Sequence, residues 1–79
     1  MKKMTCRQLG GACDLEFRAE SFDEMATLSK NHGMEMFEQG DEAHLQAMMQ
    51  MRTLMQEPGA MKEWFMAKKK EFEALPDEA

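Results

Sequence analysis

Two cysteines and a histidine are the residues of this 79-residue chain best suited to chemistry: Cys6, Cys13 and His32. Thiolate sulfur and imidazole nitrogen are the donors that zinc prefers, and a structural zinc site commonly takes two of each in a tetrahedron. The usual short Cys-x2–4-Cys spacing is not met, so a hairpin has to bring the two cysteines together. The same residues have plainer readings. Both cysteines can be small buried hydrophobes, and His32 a hydrogen-bonded core histidine. A thiol beside an imidazole also meets the minimum for a nucleophile, but no orienting third group or oxyanion site is readable. Gly10-Gly11 suits a turn better than a phosphate loop, and Asp41-x-x-His44 resembles a metal half-site only faintly. The chain is therefore expected not to be an enzyme.

The elements that position these residues follow from periodicity. Met4-Thr5-Cys6-Arg7 and Cys13-Asp14-Leu15-Glu16-Phe17-Arg18 alternate apolar and polar residues, as half-buried strands do. A two-residue turn at Gly10-Gly11 joins them, because glycine takes positive φ without steric cost. That turn pairs Met4 with Phe17, Cys6 with Leu15, Arg7 with Asp14 and Gln8 with Cys13. Met4, Cys6, Cys13, Leu15 and Phe17 then share one face, and Arg7–Asp14 is a favourable cross-strand pair on the other. Ser21-Phe22-Asp23-Glu24 is a capping box. The helix after it puts Met25, Ala26, Ser29, His32, Gly33 and Met36 on one stripe, which should cover the apolar hairpin face and aim His32 at the cysteines.

Cys6, Cys13, the Glu20-Ser21 start of the helix and His32 resemble the pattern of DUF1059, a family of small proteins of unknown function. The resemblance covers about the first half of the chain. It implies a second histidine five residues after the first, giving a two-cysteine, two-histidine arrangement on a hairpin and helix. This chain departs there, since that position is Phe37. Glu35, Glu38 or His44 are candidates for a fourth ligand. On another reading the site is lost, with Phe37 filling its space by apolar packing.

Further along, Gly40 is expected to cap the first helix near Gln39 in the left-handed conformation, and Asp41 to start a second. Leu45, Met48, Met49, Arg52 and Met55 keep helical spacing to Gln56. Pro58-Gly59 breaks the chain. A third helix is expected over 60–74, with Met61, Trp64, Phe65, Lys68, Phe72 and Leu75 inward and Pro76 closing it. The short loop suggests an antiparallel pairing of helices two and three.

The expected fold is therefore α+β, a β-hairpin followed by three helices (ββααα) in one small domain. Residues 1–40 form the hairpin and first helix, and 41–79 a C-terminal helical hairpin. A core of this size rarely supplies more than about 3–5 kcal/mol, so a staple or an oligomer partner is expected. Net charge is −5, which argues against non-specific nucleic-acid binding. The basic run Lys68-Lys69-Lys70 reads as a solvated helix end. No apolar run follows Met1-Lys2-Lys3 and none is long enough to span a membrane, so a cytoplasmic protein with reduced thiols is expected. Eleven methionines are unusual here. They suit irregular core gaps, an adaptable surface for a partner helix, or soft-metal ligation. The leading expectation is a non-catalytic interaction or regulatory module without a cofactor. It would bind a protein partner or associate with itself through Met48, Met49 and Met55. The competing one is a small zinc protein using Cys6, Cys13 and His32.

Overall fold

The computed structural model describes residues 1–77. Its elements run β1 (Lys2–Thr5), a short 3-10 turn (Arg7–Leu9), β2 (Glu16–Ala19), α1 (Phe22–Gln39), α2 (Glu42–Leu54) and α3 (Ala60–Ala74). The two strands are antiparallel, in the register that the alternation dictates, with Met4 opposite Phe17. That register buries Met4, Phe17 and Ala19 under α1 and leaves Glu16 and Arg18 in water. The α+β arrangement of a hairpin followed by three helices is as expected.

The connection between the strands is not the two-residue glycine turn. Ladder pairing stops at Thr5 and Glu16, although the Cys6 N–H still donates to the Leu15 carbonyl at 2.8 Å. The Arg7 N–H then donates to Cys13 rather than Asp14. The chain folds into the 3-10 turn, leaves it through left-handed Gly10, and closes as the Leu9 and Gly11 N–H groups both donate to the Cys6 carbonyl. Thr5 and Gln8 brace the turn by exchanging hydrogen bonds, Thr5 N–H to Gln8 Oε1 and Gln8 N–H to Thr5 Oγ1. The loop still makes the expected Arg7–Asp14 pair, Nε to Oδ1 at 3.0 Å. Leu15 is turned outward and half exposed, a correction to the one-face arrangement, because the strand has not yet begun there.

Helix α1 starts at Ser21, whose Oγ accepts the Glu24 N–H, while the Glu24 carboxylate reaches back to the Glu20 N–H. It ends at Gly40, whose φ of 69° is left-handed backbone that a side chain would strain. Gly40 hands the chain directly to Asp41, the N-cap of α2, whose side chain accepts the His44 N–H. The α1 stripe is as read: Met25 and His32 are buried and Ala26, Ser29, Gly33 and Met36 half-buried.

Helix α2 is turned about its axis relative to the expected stripe. His44 is buried, Ala47, Met48, Met51 and Met55 are half-buried, and Met49 is 68% exposed. The principal packing of α2 is on α1, and that of α3 is on α1 and β1, rather than α2 on α3 as the short loop suggested. Helix α3 is anchored by Phe72, which meets Phe22 edge-on at 5.8 Å and carries the Lys2 ammonium over its ring. Phe65 makes a second edge contact with Phe22 at 5.0 Å. The molecule is a slab about 34 × 30 × 15 Å. Its core is Met4, Cys6, Leu9, Phe17, Ala19, Phe22, Met25 and Phe72.

Phe72→Ala should cost about 3 kcal/mol or more through the cavity it leaves, whereas Met49→Ala should change stability by less than about 0.5 kcal/mol. Urea melts followed by circular dichroism check both, and equal losses would contradict this placement of the core.

Candidate metal centre

Cys6 directly follows β1, Cys13 lies in the loop before β2, His32 is midway along α1, and His44 is in the first turn of α2. These four side chains bring one donor atom each to within 4.8 Å of all the others. His32 Nε2 is 3.3 Å from Cys13 Sγ, and His44 Nε2 is 3.6 Å from Cys6 Sγ. A tetrahedral zinc centre with Zn–S near 2.3 Å and Zn–N near 2.0 Å has a sulfur–nitrogen edge of about 3.5 Å. Both observed edges match it. Two independent thiol–imidazole hydrogen bonds would give similar pair distances, but would not require the two pairs to converge.

Local backbone geometry prepares both sulfurs. The backbone amides of Ala12 and Cys13 act to lower the Cys6 thiol pKa, and that of Leu15 acts to lower the Cys13 thiol pKa. Gly11 passes so close that a Cβ there would lie 2.1 Å from Cys6 Sγ. A side chain at position 11 therefore cannot coexist with Cys6 in this position. Burial pushes the Cys6 thiol above its ordinary value of 9.0. Burial also acts upward on Cys13, but the Leu15 N–H together with His44 and Cys6 outweighs it and holds that thiol below 9.0.

The two imidazoles are held differently. The His32 ring meets Phe17 edge-on at 5.6 Å and the His44 ring at 5.2 Å, so packing fixes its plane. The His44 ring is fixed by Asp41. One carboxylate oxygen, Oδ2, lies 2.5 Å from His44 Nδ1 and also accepts the His44 backbone N–H at 3.0 Å. The carboxylate raises the His44 pKa above the ordinary imidazole value of 6.5, and His44 in turn lowers that of Asp41. A proton on Nδ1 leaves Nε2 with its lone pair directed at the sulfurs. A carboxylate behind a ligating imidazole is the usual way metal sites orient histidine. Asp41 is thus both the cap of α2 and the group that aims His44.

The structure brings together Cys6, Cys13 and His32 and, of the three candidates for a fourth donor, places His44 beside them. Glu35 and Glu38 are exposed and stay away from the site. Phe37 neither takes the fourth place nor fills its space, since it is 64% exposed on the outer side of α1. The geometric reason is that five helical residues turn about 140° beyond a full circle, so His32 and position 37 face different ways. The available signal for His44 was Asp41 three residues before it, a cap that doubles as an imidazole partner.

Gly11→Ala should displace Cys6 Sγ, costing about 1–3 kcal/mol by overpacking and removing metal binding, read by a melt and a cobalt titration. Asp41→Asn, which retains an N-cap, should weaken metal affinity by about 10–100-fold with little loss of metal-free stability. No protein-family model, curated protein or solved structure matches this chain.

Proposed function

We propose that this chain is a small, non-catalytic zinc protein in which Cys6, Cys13, His32 and His44 hold one structural ion. The observation that carries this reading is the convergence of four donor atoms from four separate parts of the chain, backed by Asp41 on His44 Nδ1. Two sulfurs and two nitrogens form a donor set suited to zinc rather than to calcium or magnesium, which favour oxygen. Four protein ligands close a tetrahedron and leave no position for substrate, as in structural rather than catalytic sites.

The ion would clamp the hairpin to α1 and α2. No ligand comes from α3, which relies on Phe72 and its aromatic neighbours. Such a clamp supplies the staple that a core of eight residues calls for. Because the unfolded chain has no preformed site, binding energy becomes folding energy.

A chelator stronger than the site should therefore unfold β1, β2 and α2, with loss of circular dichroism that added zinc restores. A melt indifferent to chelator and zinc would refute the structural role. The pH dependence separates the two forms further. Without metal, the Asp41 carboxylate raises His44 above 6.5 in the native state. Its stabilising contribution is complete below that value and fades as pH rises through the native pKa. Metal needs neutral imidazoles and thiolates, so loading strengthens as pH rises. As pH rises above about 6.5, this part of the stability should fall in the metal-free protein, whereas the stabilisation conferred by zinc should grow. Parallel slopes would contradict the assignment of His44.

A further inference from the structure

The outer face of α1 carries a shallow groove of about 500 Å³, walled by Lys30, Gly33, Met34, Phe37, Glu38 and Met48. It runs along α1 beside α2, with half-buried Gly33 at its inner edge and Met48 supplied by α2. Met34 and Phe37 are 55% and 64% exposed, although large apolar side chains at this density are costly to leave in water. Lys30 and Glu38 stand at its two ends, and neither has an ion-pair partner among the described residues.

The whole molecule carries an excess of surface. A folded monomer of 9.1 kDa is expected to expose about 4,900 Å², whereas this chain exposes 5827 Å². The surplus of about 900 Å² belongs to the thin slab as a whole, of which the α1 groove is one part.

We infer that the α1 groove is the contact surface for a second copy of this chain, packed antiparallel about a two-fold axis near Met34. The residue spacing is what selects a second copy over an unrelated partner. Lys30 and Glu38 lie eight residues apart, about 12 Å along the helix, with Met34 midway between them. A two-fold axis there sets Lys30 of each chain opposite Glu38 of the other, forming the same ion pair twice. Gly33 and Phe37 are centred within one residue of the same point. The same axis sets each Phe37 opposite Asn31 of the other chain, about 3 Å along the helix from Gly33, beside which Met48 lines the groove. Reciprocal contacts of this kind define an isologous interface. Of the methionines expected to associate, Met48, Met49 and Met55, this arrangement uses Met48.

The test is sedimentation equilibrium of the zinc-loaded chain, with circular dichroism as the control for folding. Wild type should dimerise. Lys30→Glu and Glu38→Lys should each weaken the dimer by about tenfold or more, because each places like charges together twice. Mixing the two single variants should restore wild-type affinity as a heterodimer, since every facing pair is then opposite in sign. Phe37→Ser should weaken the dimer while leaving zinc content unchanged. A wild-type chain that stays monomeric to ~1 mM would overturn the inference. So would a dimer indifferent to both charge reversals, or variants that fail to recover on mixing.

Discussion

Four donor atoms from parts of the chain as far apart as Cys6 and His44 lie within 4.8 Å of one another, and several features of the backbone accompany that convergence. The 3-10 turn after β1 stands in place of a tight hairpin, and with it the sulfurs of Cys6 and Cys13 come together instead of lying diagonally across a ladder. Gly11 is there because its neighbour is a sulfur at a distance no Cβ tolerates. Gly40 and Asp41 reverse the chain within two residues, so that the first turn of α2 returns to the site. Charge differs between the two thiols: burial raises Cys6 and the surrounding groups lower Cys13, while the Asp41 carboxylate stands behind the His44 imidazole.

Much of the chain's folding is local, and local features are what a sequence displays. Alternation in Met4–Arg7 and Cys13–Arg18 set the register, Ser21 and Glu24 marked the start of α1, and Gly40 with Asp41 marked the boundary between α1 and α2. Hydrophobicity located the inward side of α1 because its buried positions are mostly apolar. It misplaced the inward side of α2, where the residue driven deepest is a histidine. Two stripes differing by a small rotation were compatible with the methionines, and the imidazole of His44 selects the one that buries Met51 and exposes Met49. The loop was misread for a related reason, since glycine at positions 10 and 11 signals a turn whether the need is positive φ or close approach to sulfur. The choice of His44 among the candidate donors depends on how α2 crosses α1, a tertiary fact that no spacing within 32–44 encodes. The implied second histidine at position 37 drew attention to the side of α1 that faces away.

A thin slab with eight core residues leaves much of its helical surface in water. The two devices inferred for it address different parts of that shortage. A metal at the hairpin–α1–α2 junction would tie elements whose packing area is small, and it would do so without burying more surface. Pairing through the outer face of α1 would bury surface that the monomer exposes. The abundance of methionine fits this division, since Met4 and Met25 fill the interior while Met34 and Met48 line an open groove. An unbranched thioether serves both places, adapting its shape to irregular gaps inside and to a facing surface outside.

The most direct measurement is X-ray absorption at the zinc edge of the loaded protein, compared between wild type and His44→Ala. Wild type should show a first shell of two sulfurs near 2.3 Å and two nitrogens near 2.0 Å, with multiple scattering from two imidazoles. Removal of His44 should take away one imidazole and leave both sulfurs. A wild-type shell with a single histidine or with oxygen in the fourth place, or one that is unchanged by His44→Ala, would contradict the proposed centre.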